Sequence, residues 1–290
     1  MDASFTDIDS FCIALNEELP CGEDIREDYS STSAYQVIKD ARNGARTEER
    51  SALFDDVEQN TLTFWKPVLE QAPQILKEKS KDLEICAWYV EALVRFHGFK
   101  GLSQGFVLID QLVENFWQGL FPLEDEDGIE TKVAPISGLN GEGGEGTLIA
   151  PIRNIPLTDP SATAGFTFWQ YQQARDIQKI SDANQRAERI NTSGLNMDMI
   201  ETAVRETSNE FYQELINDIE SALANFEKMS LRLDELCEHD SPPSSNIKNT
   251  LNDSLTAVRF LSKDKIINTD DTPLDEEESS SQDNNQQQTA

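Results

Sequence analysis

The chain has 290 residues, which is enough for about two domains at the usual ~100–200 residues per domain. It contains 54 acidic and 24 basic residues, so its formal net charge at pH 7 is −30. Because such a chain repels phosphate groups, we expect it to bind neither nucleic acid nor the surface of an anionic membrane.

Targeting signals and membrane spans are not expected from this sequence. The N-terminus is acidic, whereas a secretory signal needs a basic start and an apolar run. The longest apolar run, Ile85–Val90, has six residues, far fewer than the ~20 that span a bilayer. The cysteines have no C-x-x-C spacing, which favours reduced thiols in a cytoplasmic protein; they are Cys12, Cys21, Cys86 and Cys237.

Helical periodicity dominates the first 120 residues and predicts an all-α fold. Short helices are expected at Ile8–Leu15 and Tyr35–Ala41. A further helix over Trp65–Leu76 is expected to kink or split at Pro73, because a proline ring clashes with the preceding turn.

The most apolar helix is predicted over Leu83–Phe96, with Ser80 as its N-cap. Its residues are apolar nearly all round, which is typical of a central, buried helix. Gly98 and Gly101 then bracket a turn, and Leu102–Phe116 has apolar residues at spacings of four and three. We therefore expect an antiparallel helical hairpin.

A polar, acidic stretch over residues 124–146 separates this hairpin from the second half of the chain. It leads into residues 148–158, where Pro151 and Pro156 exclude a long helix and leave room for a small extended or hairpin element. The sequence thus predicts a Gly- and Pro-rich connector between two helical domains.

The predicted domains are residues 1–160 and residues 161–263. The second is expected to hold a long helix and a returning helix. Residues 264–290 are predicted to be a disordered acidic tail or linker, because their composition offers almost nothing that could pack.

The clearest element of the second half is a long helix predicted over residues 208–237, after a shorter one near Phe166–Ile180. Thr207 and Glu210 are expected to form its capping box. A helix over Ile247–Val258 is expected to return along it. The apolar positions of the long helix follow alternating spacings of three and four, at Tyr212, Leu215, Ile219, Ala222, Phe226, Met229, Leu233 and Leu236.

Two interpretations of this stripe stay open. Ile216 and Leu223 widen it, which favours a bundle helix packed within the chain. A coiled-coil seam between two copies is the alternative.

The letters of a dinucleotide-binding motif, G-x-G-x-x-G, occur at Gly141, Gly143 and Gly146. That motif needs a buried strand before the loop and a helix after it, and neither is predicted here. Glu142 and Glu145 would also repel phosphates. A surface loop is the better interpretation, so no cofactor is expected.

A G-x-S-x-G match at Gly101–Gly105 suggests a hydrolase with Ser103 as nucleophile. A nucleophile elbow requires a strand before the serine, and this serine lies between two helices. The chain has two histidines, His97 and His239, and His97 is expected to cap or pack at a helix end. No catalytic residue is assigned.

Metal sites are not expected either. If Gly128 is aligned with the central glycine of a calcium loop, Leu123 and Ala134 take the positions of the two anchoring carboxylates. No His and Cys cluster has zinc spacing.

Several short motifs occur in a fixed order over roughly residues 5–262. They are Pro20–Asp24, Ser80–Leu83, Ala87–Trp88, Glu91–Leu93, Phe96–Leu102, Trp117, Phe121–Pro122, Glu124–Gly128, Leu139–Gly144, Thr147–Ile149, Pro151–Arg153 and Ile155–Thr158. In this order they resemble the ImpA-type N-terminal region of the TssA proteins of the bacterial type VI secretion system.

The resemblance implies a non-enzymatic assembly component that helps to recruit the baseplate and to assemble the inner tube and sheath. It also implies a cytoplasmic protein recruited to the inner-membrane-anchored machine, with baseplate, tube, sheath and membrane-complex proteins as partners. Members of the family carry a further ring-forming domain beyond an acidic linker. This chain is expected to be a shortened form, a fragment or a variant that assembles differently, so homo-oligomerisation stays an open expectation.

The sequence predicts one interface loop, formed by Leu139, Asn140, Gly141, Gly143 and Gly144. Its alternative interpretation is a mobile connector. An alternative function is an acidic helical adaptor outside secretion that self-associates through the helix over residues 208–237.

Overall fold

The computed structural model of the chain describes residues 7–52 and 61–270. Within these ranges the β pairings are isolated bridges, so the fold is all-α, as predicted. Two 3-10 helices, Ile8–Phe11 and Glu238–Asp240, accompany the α-helices. In chain order these are α1 (Ala34–Ala52), α2 (Leu62–Glu78), α3 (Leu83–Phe116), α4 (Ile129–Asn140), α5 (Ile149–Arg153), α6 (Phe168–Gln178), α7 (Ala183–Ser193), α8 (Met197–Glu206), α9 (Asn209–Cys237) and α10 (Ser245–Asp270).

The predicted hairpin is confirmed, but a single residue makes the reversal. Gly98 has φ 56° and ψ −140°, with helical backbone on both sides of it, so α3 consists of two antiparallel arms. The second arm lies directly on the first, since a Cβ at Gly105 would be 2.7 Å from a methyl carbon of Val90. Gly101 belongs to the second arm and approaches the backbone of Leu93 in the same way. The glycines permit this contact because they lack a side chain.

Helix α9 packs against α3 and α10, so the long helix is a bundle helix within the chain. The rings of Phe106 on α3 and Phe226 on α9 have centroids 4.9 Å apart. Seven of the eight predicted apolar positions of α9 are buried. The eighth, Leu236, is exposed, and Cys237 is buried in its place, because the stripe drifts around the helix by its last turn.

Two local expectations about the first helices are corrected in part or in full. Helix α2 is not split at Pro73, because Trp65 and Leu76 on either side of the proline are fully buried and hold both halves in one helix; a kink there stays a prediction. Asp82, not Ser80, caps α3, because its carboxylate lies within reach of two free amides and accepts from Glu84 N at 2.8 Å and Ile85 N at 3.1 Å.

The polar connector contains a helix that the sequence pattern did not predict. Helix α4 buries Val133, Ile136 and Leu139, while Glu130, Ala134 and Gly138 are exposed. Lys132 is also buried, with its ammonium group donating to Leu120 O at 2.7 Å. The expected extended element near Pro156 is a single bridge to Thr167.

The ends of the later helices also differ in detail from the expectation. Ser208 caps α9 by accepting from Phe211 N at 3.1 Å, whereas the predicted box used Thr207 and Glu210. Thr207 instead donates its hydroxyl to Ala203 O at the end of α8. The predicted short helix near residues 166–180 and the returning helix are confirmed as α6 and α10.

The division near residue 160 stays a prediction, while one buried apolar cluster includes residues on both sides of it. Helix α10 extends to Asp270, and the rest of the predicted tail lies outside the described residues. Among the helices that are described, none is both long enough and apolar enough to cross a bilayer.

Candidate interaction surface

The predicted interface loop divides into a buried base and an exposed tip. Leu139 and Asn140 are buried at the end of α4, and Gly141 is half-buried. Gly143 and Gly144 are exposed, with no atom within 4 Å of the position that a Cβ would take. The structure therefore brings the five predicted residues into one turn but offers only its tip to a partner.

Close backbone contacts fix the shape of this loop. Gly141 has φ 84°, and a Cβ there would be 2.2 Å from Gly144 O. A Cβ at Gly146 would lie 2.2 Å from Leu139 O. The glycines thus allow the chain to fold back on the end of α4, which is a structural role and not the phosphate-binding role that their spacing suggests.

Asn140 fastens the loop to the second half of the chain. Its side-chain oxygen accepts from Ile247 N at 2.9 Å, within the first turn of α10. Asn246 donates in return to Asn140 O at 3.1 Å. The first turn of a helix has free amides, so Asn140 caps α10 from a distant part of the chain.

A buried carboxylate, Glu91, joins the loop to the first helices. Arg42 on α1 donates to both oxygens of Glu91, at 3.0 Å and 2.6 Å. The hydroxyl of Thr147, just after the loop, donates to the same carboxylate at 2.6 Å. Because the Glu91 side chain is only 2% exposed, these donors compensate a charge that would otherwise be buried alone.

A second charged cluster lies at the start of α3. Arg26 forms ion pairs with Asp24, with the fully buried Asp82 and with Glu84. Burial would lower the pKa of Arg26, but the charge and hydrogen bond of Asp82 outweigh burial and raise it. The hydroxyl of Tyr35 donates to Glu84 at 3.1 Å. This cluster ties the segment before α1 to the central hairpin.

The hydrolase-like serine is part of the core. Ser103 lies inside the second arm of α3, where its hydroxyl accepts from Asn225 of α9 at 2.9 Å. A nucleophile elbow would need a strand before the serine and an exposed hydroxyl, and Ser103 is buried.

The calcium-like segment forms a turn that leads into α4. Asp125 accepts from Asp127 N at 2.9 Å and from the Thr131 hydroxyl at 2.5 Å. These hydrogen bonds, that of Thr131 first, lower the pKa of Asp125. No group of three or more potential metal-binding side chains occurs among the residues that the structure describes.

Comparison with known proteins connects this arrangement to a family. Residues 13–141 match the sequence profile of the N-terminal ImpA region of the type VI secretion system. Type VI secretion system component TssA1 of Pseudomonas aeruginosa is 23% identical to the chain over 184 residues, which are 63% of this chain and 51% of TssA1. The chain is therefore similar to the TssA proteins of the type VI secretion system.

The chain also has the fold of a solved structure. The N-terminal domain, including the conserved ImpA_N region, of the TssA component from Burkholderia cenocepacia superposes with a TM-score of 0.74 at 23% identity. The match covers 89% of this chain and 94% of that domain. The chain spans about half the length of the curated relative that it matches.

In each of the two charged clusters, the buried carboxylate lies in a motif that resembles those of TssA proteins. Asp82 and Glu91 lie in motifs that carry the resemblance, whereas their partners Arg26 and Arg42 lie outside those motifs. The remote capping role of Asn140 gave no signal in the sequence, because a capping asparagine is normally sought next to the helix that it caps.

Proposed function

We propose that this chain is a TssA-like, non-enzymatic assembly component of the type VI secretion system. It helps to recruit the baseplate and to assemble the tube and sheath through protein–protein contacts, in the cytoplasm at the membrane-anchored machine. The family match over residues 13–141 carries the proposal. The TssA family is a structural part of this machine and is not known as an enzyme.

The exposed tip of the loop is the proposed contact surface. Its base is held by Asn140 on α10 and by Thr147 on Glu91, so the tip is presented in a defined position. Glu142, Gly143, Gly144 and Glu145 are exposed there. A tip with small residues and a rigid base suits recognition, because little conformational entropy is lost on binding.

Pull-down of purified baseplate, tube and sheath components with the full chain tests the proposed function. We expect at least one of them to bind. Binding to none would overturn the assembly role for this chain.

A pair of variants tests the loop separately. Gly144→Arg adds a bulky side chain at the exposed tip, where a Cβ meets no atom within 4 Å. Gly138→Arg is the matched control, because Gly138 is exposed on α4 and its Cβ position is equally open. We expect Gly144→Arg alone to weaken capture. Equal capture by both variants would refute the contact surface and leave the assembly role standing.

The alternative function, an adaptor that self-associates through residues 208–237, has less support. The apolar stripe of α9 is already covered by α3 and α10 of the same chain. Leu231, 63% exposed, and Leu236, 37% exposed, remain on the outside of α9. A seam between two copies would therefore have to open the bundle.

A further inference from the structure

A groove of about 760 Å³ separates α6 from α7. Ile177 and Ile180 line it, and Trp169 stands at its side with 55% of its surface exposed. Helix α7, which forms the other wall, has no buried residue. An exposed tryptophan beside a helix with no buried residue indicates a surface to which another segment or protein can bind.

The charge of this groove is opposite to that of the chain. Arg175, Lys179 and Arg189 line it, and Asp176 is its one acidic lining residue. Asp176 is paired with Lys179 at 2.8 Å. Within the described part of the chain, neither Arg175 nor Arg189 forms an ion pair. The guanidinium carbon of Arg175 lies 5.5 Å from the ring centroid of Tyr171. In a chain with a net charge of −30, two arginines outside any described ion pair, beside a tryptophan, suit an acidic segment that carries an apolar side chain.

The groove continues around α6 towards α10. Gln172 and Arg175 also line a second groove, of about 290 Å³, whose far wall includes Phe260 of α10. Phe260 is 57% exposed. Further along α10, Lys265 donates to Arg205 O at the end of α8, the helix that packs on α6. The last described residues therefore belong to α10, the helix that forms one wall of the second groove.

We propose that the acidic segment of residues 271–283 docks in the groove between α6 and α7 of its own chain. This segment contains six acidic residues and no basic one, with Leu274 as its only large apolar side chain. Its carboxylates pair with Arg175 and Arg189, and the segment covers Trp169. An extended chain covers up to about 3.3 Å per residue, so Leu274 reaches roughly 13 Å beyond Asp270, where α10 ends, and Asp283 reaches roughly 43 Å. The proposal does not rest on the role in secretion.

Docking predicts that the tail shields Trp169 and slows the opening of α7. The test variant neutralises the tail in the full chain, with Asp275→Asn, Glu276→Gln, Glu277→Gln and Glu278→Gln. We expect acrylamide to quench Trp169 more strongly and the α7 amides to exchange hydrogen about 3- to 10-fold faster. Trp65 and Trp88 are buried, but Trp117 is partly exposed, so all quenching variants carry Trp117→Phe and the change in quenching then reports mainly on Trp169.

A charge reversal in the groove should reproduce this effect. Arg189→Glu is expected to raise quenching and α7 exchange as the neutralised tail does, and the two changes together should add nothing further. Lys66→Glu is the matched control, because Lys66 is exposed on α2 outside the groove. It should leave both signals unchanged.

Two results would overturn the proposal. The first is unchanged quenching and exchange when the tail is neutralised, with wild-type circular dichroism. The second is shielding of Trp169 that appears only as protein concentration rises, since that would assign the groove to the tail of a second copy.

Discussion

Asp110 on α3 and Arg232 on α9 form an ion pair across the main helix contact of the protein, with Nε and Oδ1 2.5 Å apart. Lys228, one turn earlier on α9, lies 2.8 Å from the other carboxylate oxygen. Asp110 is only 1% exposed, so its charge depends on these two partners. The pair joins the two predicted domains at a single carboxylate.

Asp110→Asn should weaken this contact. The amide keeps the shape of the side chain but cannot hold two cations, and we expect the free energy of unfolding to fall by about 1–3 kcal/mol. Urea denaturation followed by circular dichroism measures the change. Asp234→Asn, an exposed change on the same helix, should alter stability by no more than about 0.5 kcal/mol. Equal effects of the two variants would contradict the role of the pair.

The same carboxylate should make stability depend on pH. Burial would raise the pKa of Asp110, but hydrogen bonds and charges from Arg232 and Lys228 outweigh burial and lower it. Because the pKa of Asp110 is lower in the folded state, its ionised carboxylate stabilises the fold fully at a pH above the unfolded-state pKa of about 3.9. This stabilisation is lost as the pH falls through the folded-state pKa. The stability gap between wild type and Asp110→Asn should therefore be constant above about pH 5 and shrink below about pH 4. A gap that widens on acidification would refute this assignment.

Glu91→Gln should destabilise the region that holds the loop. The substitution leaves the guanidinium of Arg42, whose side chain is 14% exposed, without its carboxylate. We expect a loss of about 2–4 kcal/mol in thermal or urea unfolding. Glu70→Gln removes the exposed pair with Lys66 and should cost less than about 0.5 kcal/mol. A small effect at Glu91 would show that the buried network contributes little.

Two glycine substitutions should change stability in opposite directions. Gly98→Ala places a side chain at φ 56°, at the reversal of α3, and should cost about 1–3 kcal/mol. Gly138→Ala lies inside α4 with open space around its Cβ position, and should stabilise the chain by up to about 1 kcal/mol. Thermal unfolding of the two variants measures both signs, and a stabilising Gly98→Ala would contradict the reversal at that residue.

The sequence predicted those elements whose apolar pattern is long. In α9 the spacing from Tyr212 to Leu233 agrees with burial at every position, because a helix of that length keeps one face towards the core. The pattern fails at Leu236 because the apolar stripe drifts around the helix by its last turn, where Cys237 is buried instead. In α4 the signal was too weak, since Pro135 and Gly138 interrupt a short stretch that is helical because its apolar face is buried.

The candidate site was predictable only in part. The five loop residues are adjacent in the sequence, so their grouping follows from the chain itself. Which of them face solvent depends on distant groups. Asn140 is buried because α10 begins beside it, and Glu91 carries a compensated charge because Arg42 reaches it from α1.

By itself, the sequence determined an all-α fold, a reversal in the region of Gly98 and a long helix with one apolar face. These follow from local backbone preference and from periodicity, which act over a few turns of chain. The tertiary structure decided which helix that face covers, which carboxylates are paired and which glycines form an exposed tip. Each of those depends on residues far apart in the sequence, such as Asp110 and Arg232, and a contact between distant residues leaves no periodic signal.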